Sequence, residues 1–186
     1  SILFTSWRRE VGDTARAPHL YLMNADGTEQ RRLVPESLNS SEGATWSPDG
    51  KWIVFARKGD RGADLYLADQ HGNQLRRITH DGTRNIYSGS PTFSPDGRSI
   101  AFYADDGKSA ALVVIGRNGK GRRTLVAEGY NWYPRWSSDS QWLVFTTRRP
   151  GAAKDDIDVM AVSVEGGLPI PLVGGATRDQ EGSWRP

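Results

Sequence analysis

Cysteine is absent from the 186 residues. That removes a disulfide scaffold, a thiolate metal site and a cysteine nucleophile at once. It does not choose a compartment, because many exported proteins also lack disulfides. Long apolar runs are missing too. The longest, such as Trp52 to Ala56 and Ala110 to Gly116, have the length of a strand. A helix needs ~20 apolar residues to cross a bilayer, so no membrane span is expected. Charge of one sign is also lacking, since 24 basic and 22 acidic side chains leave a net +2. Such a near-balance is unlike the electrostatic footprint of a nucleic-acid binder, and no nucleic-acid partner is expected. Methionine numbers 2 against 7 tryptophans, a bias toward a rigid β core. The chain opens on Ser1, not Met, so a preceding segment is expected, and no targeting segment can be read.

What is present is turn chemistry and a repeat. Glycine stands at 21 and proline at 10, which predicts frequent turns. Trp46-Ser-Pro-Asp-Gly50 recurs as Phe93-Ser-Pro-Asp-Gly97, weakens to Trp136-Ser-Ser-Asp-Ser140 and ends as Trp184-Arg-Pro186. The leading aromatics are 47, 43 and 48 residues apart, a propeller period. An apolar strand follows each of the first three, at Trp52-Ile-Val-Phe55, Ser99-Ile-Ala-Phe102 and Trp142-Leu-Val-Phe145, and the chain opens on another, Ser1-Ile-Leu-Phe4. A second strand sits at Leu20-Tyr-Leu22, Leu65-Tyr-Leu67, Leu112-Val-Val114 and Val159-Met-Ala161. A glycine follows each (Gly27, Gly72, Gly119, Gly166), then an apolar anchor (Leu33, Ile78, Leu125, Leu172).

Pro48 presets φ for a tight turn, Asp49 can bond nearby backbone and Gly50 tolerates positive φ, so Ser-Pro-Asp-Gly reads as a hairpin turn. Strands apolar on both faces need cover on both sides, as blades in a ring have. With strands named A to D in each unit, A being the Trp-Ser-Pro strand, the chain reads B, C, D, three full sets, then a lone A. The expected fold is therefore all-β: residues 1–186 as one four-bladed β-propeller of four repeats of about 46 residues, each blade a four-stranded antiparallel sheet. A strand from Glu181 to Arg185 is expected to pair with one around Ile2 to Ser6 and close the ring, which would remove an exposed edge.

Leu20-Tyr-Leu-Met-Asn-Ala-Asp-Gly-Thr28 with Arg31-Arg-Leu33, and Ala44-Thr-Trp-Ser-Pro-Asp-Gly-Lys-Trp-Ile-Val-Phe55, resemble the TolB-like propeller repeat, a relative of WD repeats. The second unit repeats them in Leu65-Tyr-Leu67, Arg76-Arg-Ile78 and Pro91-Thr-Phe-Ser-Pro-Asp-Gly97. The resemblance implies a propeller that binds other proteins or gates a peptidase, and a periplasmic or secreted location. Many such propellers have six or more blades, so four is a departure.

No set of catalytic residues stands out, and no enzymatic activity is expected. His19, His71 and His80 do not converge at metal-ligand spacing, and each is expected to be solvated. Ser88-Gly-Ser-Pro91 is not a nucleophile elbow, and no phosphate loop is present. The arginine pairs Arg31-Arg32, Arg76-Arg77 and Arg122-Arg123 are expected on the outermost strands, where charge discourages edge-to-edge association. Acidic residues gather in the B–C loops at Asp60, Asp64, Asp105, Asp106, Asp155, Asp156 and Asp158. Neighbouring loops could share a calcium ion, but solvated carboxylates are the simpler expectation, and no metal or other cofactor is expected.

The D–A connections are more informative. Strand A lines the axis, so Asn39-Ser-Ser-Glu42, Arg84-Asn-Ile-Tyr-Ser88, Tyr130-Asn-Trp-Tyr133 and Arg178-Asp-Gln-Glu181 should converge on one mouth of the channel. Tyr87, Tyr130, Trp132 and Tyr133, beside Arg84, Arg178, Asp179 and Glu181, are the candidate ligand-binding residues. The alternative is that these aromatics pack between blades. The expected role is non-catalytic recognition of a protein, a peptide or a small ligand such as a sugar by a monomer. A propeller lyase or hydrolase using loop carboxylates with Tyr or Arg, and a minimal or engineered propeller without a ligand, are the competing readings.

Overall fold

The structure, a computed structural model, describes residues 1–8, 17–34, 41–154 and 156–173. The described residues are strands and turns, apart from one 3₁₀ turn at Gly82–Arg84. β1 (Ile2–Ser6), β2 (His19–Met23) and β3 (Arg31–Arg32) form an antiparallel sheet, blade 1. Blade 2 comprises β4 (Ser41–Trp46), β5 (Trp52–Lys58), β6 (Ala63–Asp69) and β7 (Arg76–Arg77). Blade 3 comprises β8 (Tyr87–Phe93), β9 (Ser99–Asp105), β10 (Ala110–Gly116) and β11 (Arg123–Val126). Blade 4 comprises β12 (Tyr130–Trp136), β13 (Trp142–Arg148), β14 (Asp158–Ser163) and β15 (Ile170–Val173). Within each blade neighbours run antiparallel. Blade 2 meets blade 3, and blade 3 meets blade 4, through single parallel bridges, Ala63 to Tyr87 and Ala110 to Tyr130.

The repeated turn owes its shape to hydrogen bonds more than to proline. The Ser47 hydroxyl donates to Asp49 Oδ1 at 2.5 Å and accepts from the Trp52 amide at 2.9 Å, while the Lys51 amide donates to the same carboxylate oxygen at 3.1 Å. Ser94 and Asp96 repeat the pattern, and so do Ser137 and Asp139, although Pro and Gly are missing there. Ser140 takes φ 62°, close to the 67° of Gly50 and 69° of Gly97. Serine carries the cost of the left-handed region because the Ser137–Asp139 bonds hold the turn.

The core lies between blades. Along β5, Ile53 and Phe55 pack with Leu20, Leu22 and Leu33 of blade 1. Val54 and Ala56, on the opposite face, join Leu65, Leu67, Ile100, Phe102 and Val113 between blades 2 and 3. Ala101, Leu112 and Val114 meet Leu143, Phe145 and Val162 of blade 4. Each large side chain so covered contributes about 1.5–3 kcal/mol of transfer free energy. Two C–D turn glycines fit the same interfaces. A side chain on Gly72 would collide with the Leu33 carbonyl of blade 1, and one on Gly119 would press on the Ile78 carbonyl of blade 2.

Three expectations need correction. His19 is 1% exposed, not solvated, because it is the first residue of β2, at the position that buried Asp64 and Asp158 hold in their blades. Arg122 precedes β11, so the third arginine pair is not wholly on a strand. Members of the pairs also hold specific contacts: Arg76 donates to the Arg117 carbonyl, Arg77 bonds Asp64, and Arg32 lies over Tyr21. The fourth anchor, Leu172, is 53% exposed, unlike buried Leu33 and Ile78. Ring closure falls on Glu181 to Arg185, which lie outside the described residues; within the described ones β1 pairs with β2 alone. The C–D turns differ in their surroundings, since side chains on Gly27 and Gly166 would meet nothing within 4 Å.

Candidate recognition surface

Antiparallel order places the D–A connections and B–C loops at one end of the blades. Buried carboxylates fix this end. Asp64 Oδ1 accepts from the Thr79 hydroxyl and from the amides of Asp81 and Gly82, at 3.0, 2.6 and 3.2 Å, while Oδ2 pairs with Arg77 at 2.6 Å. Asp81 in turn takes the Arg122 guanidinium and the Ser88 hydroxyl. In blade 4, Asn131 is wholly buried. Its amide donates to the carbonyls of Ala110 and Glu128 at 2.7 and 3.0 Å, and its oxygen accepts from Thr147 at 2.7 Å. The connections leading into β8 and β12 are therefore held by buried hydrogen bonds.

The aromatics start on these pinned segments. Tyr87 opens β8 and stacks on Tyr103, ring centroids 6.3 Å apart. Tyr130 stacks on Trp132 at 5.6 Å, and the Arg148 guanidinium lies 4.4 Å from the Tyr130 centroid. These three rings are half-buried, and their described stacking partners lie within their own blades. Tyr133 differs. It is 43% exposed and its φ is 53°.

That angle comes from a bulge repeated in each described A strand, between Glu42 and Thr45, Gly89 and Thr92, and Trp132 and Arg135. Each bulge holds one residue in the left-handed region: Gly43 (55°), Ser90 (46°) and Tyr133. Arg84 is exposed on the 3₁₀ turn, with no described contact to the aromatics. Arg178, Asp179 and Glu181 lie outside the described residues. Sequence reading missed Arg148 and Asn131; the positions of both opposite β-strand partners become visible only once β12 and β13 are placed in register.

The described B–C carboxylates have partners of their own. Asp64 and Asp158 are bonded to arginines, and Asp105 and Asp106 accept from amides of their own loop. Among the described residues no three metal-ligating side chains cluster.

The opposite end holds the A–B and C–D turns and a cavity of about 620 Å³ that sequence reading did not anticipate. Its walls are Pro48, Asp49, Pro95, Asp96, Gly97, Arg98, Gly116, Arg117 and Asn118. Hydrogen bonds from Ser47 and from the Lys51 amide hold the Asp49 carboxyl below its usual pKa, helped by the charges of Lys51 and Arg117. Partial burial pushes Asp96 upward, but the bonds from Ser94 and the Arg98 amide outweigh it, so its net shift is also downward.

Residues 11–186 match the sequence profile of the TolB beta propeller domain. The chain belongs to that family. No curated protein matches it. Among solved structures it is similar to a putative TolB from Agrobacterium tumefaciens, at 24% identity and a TM-score of 0.73, over 87% of this chain and 60% of that one. It is also similar to TolB from Acinetobacter baumannii, at 19% identity and 0.71, over 96% of this chain and 42% of the other. A puromycin-hydrolyzing peptidase from Mycobacterium tuberculosis follows at 18% identity and 0.70, over 94% and 32%. At these identities the likeness is one of fold. This TolB-family chain spans less than two thirds of each of the three.

Proposed function

We propose that the chain is a non-catalytic recognition module that holds a protein segment, a peptide or a small ligand such as a sugar against Tyr130, Trp132 and Tyr133. One observation carries the reading. The inner-strand bulge forces a left-handed residue, and where two blades supply Gly43 and Ser90, blade 4 supplies a tyrosine. A non-glycine residue there costs about 1–2 kcal/mol. A 43% exposed ring recovers little of that through packing. An exposed aromatic held rigid at a strained position suits contact with a partner. Family membership supports the same coarse role.

The enzymatic alternative gains no support from the loop carboxylates, because Asp64, Asp81 and Asp158 are each tied to an arginine. A fixed acid or base of that kind is poorly placed to exchange protons.

Four blades closed into a ring, acting as a monomer, remain our reading of the architecture. Residues on both faces of the better-covered strands of each end blade are buried, which supports it. Tyr21 is buried opposite Leu20 and Leu22, and Val144, Val159 and Ala161 are buried opposite Leu143 and Val162. An open arc would leave one face of each end blade in water. Deleting residues 180–186 should then cause aggregation, and an unchanged, monomeric deletion variant would overturn closure.

The recognition reading is tested by screening peptides and oligosaccharides against the wild type, Tyr133→Gly and Trp132→Ala, with thermal unfolding in parallel. Lost binding with folding retained supports it. A large stability loss with no ligand found would assign these rings to inter-blade packing instead.

A further inference from the structure

The cavity at the turn end is lined by four charges, two of each sign. Asp49 and Asp96 each spend one carboxylate oxygen, Oδ1, on the serine hydroxyl and a backbone amide of their own turn. Their orientation is thereby fixed, and no described hydrogen bond uses Oδ2. Arg117 is steadied by the Trp52 ring, 6.0 Å from its guanidinium, and its carbonyl by Arg76. Asn118 Oδ1 takes the Lys120 amide, which leaves its NH₂ group as a donor.

Arg117 lies near enough to Asp49 to help lower its pKa. Yet among the described residues no ion pair within 4 Å joins Asp49 or Asp96 to Arg98 or Arg117. Charges of both signs thus face one space of about 620 Å³ without neutralising one another directly. That volume lies in the range of small-ligand pockets. A ligand of one sign would be attracted by half of the lining and repelled by the other. A ligand with separated charges gains at both ends.

We propose that this cavity binds a short zwitterion, a free amino acid or an unblocked di- or tripeptide, with its ammonium on Asp49 and Asp96 and its carboxylate on Arg98 and Arg117. Pro48 and Pro95, also in the lining, supply apolar contact. This site is separate from the aromatic surface at the other end of the blades and does not depend on it.

Unblocked triglycine is the probe, followed by amide chemical shifts on the full chain. Saturable shifts should centre on Gly97, Arg98, Gly116 and Arg117. N-acetyl-triglycine amide, which lacks both charges, should bind at least about tenfold more weakly. Asp96→Asn keeps the Oδ1 acceptor of its turn, so it should fold normally and lose about tenfold in triglycine affinity; Arg117→Gln should do the same. Tyr133→Gly should leave triglycine binding unchanged. Absence of saturable shifts, equal binding of the blocked peptide, or shifts centred on Tyr130 to Arg135 would each overturn the proposal. None of these results bears on whether the aromatic surface binds its own partner.

Discussion

Asp81, in the connection between blades 2 and 3, receives the Arg122 guanidinium on both carboxylate oxygens, at 2.8 and 2.6 Å. Asp81 is buried, whereas Arg122 keeps part of its side chain in solvent. The contact ties one blade's loop to the outer part of the next. Arg122→Ala would leave a buried carboxylate with Ser88 as its remaining described side-chain partner. Urea unfolding should show a loss of about 2 kcal/mol, below the ~3–5 kcal/mol of a fully buried pair because Arg122 is partly exposed. Asp81→Asn with Arg122→Ala should lose less than the sum of the two single changes.

Gly72 and Gly27 occupy the same place in two repeats, at φ 86° and 85°. Only Gly72 faces a neighbouring blade, against the Leu33 carbonyl. Gly27→Ala should therefore cost the backbone term alone, about 1 kcal/mol, while Gly72→Ala adds a steric clash and should cost about 2–4 kcal/mol. Thermal unfolding of the two variants side by side reads the difference. Equal losses would mean that the C–D turns do not hold the blades together.

Tyr133→Gly should stabilise the chain by roughly 1 kcal/mol, since glycine adopts the bulge angle without strain. Tyr133→Ala keeps the strain and loses the ring, so it should fall near or below wild type. Chemical denaturation of the three proteins checks the order. A destabilised glycine variant would show that the tyrosine ring packs more than its exposure suggests.

Asp49 and Asp139 are held below the usual carboxylate pKa by the serine hydroxyl two residues before, then by the amide two residues after. A carboxylate whose folded pKa lies below its unfolded one adds stability above the unfolded value and loses it as pH falls through the folded one. Stability should thus drop below about pH 4. Ser47→Ala with Ser137→Ala should flatten that drop while lowering stability near neutrality, as measured by unfolding midpoints from pH 7 to 2.

The strands were legible because the offsets from Trp46, Phe93 and Trp136 repeat and turn chemistry bounds each hairpin. Burial at single positions was less legible. His19 looks like any solvated histidine until its register partner, Ser6, and its equivalents Asp64 and Asp158 are aligned. Leu172 keeps the spacing of Leu33 and Ile78, but spacing cannot report whether a neighbouring blade covers it. The aromatic segment was visible as composition. Tyr133's backbone strain was not, because it arises from a bulge whose occupants, Gly43, Ser90 and Tyr133, share a position and no chemistry. The turn-end cavity needed three turns distant in sequence to be brought together, two from Ser-Pro-Asp-Gly and one from Arg117-Asn-Gly119.

In the turn at Ser137, both the proline and the glycine have been replaced, and the Ser–Asp bond persists at 2.5 Å. Natural selection can therefore erode the visible motif of a blade down to serine, any residue, aspartate, without erasing the blade. Degenerate copies in longer relatives should be sought by that spacing beneath a leading aromatic, and blade counts made from the full Ser-Pro-Asp-Gly string will run low.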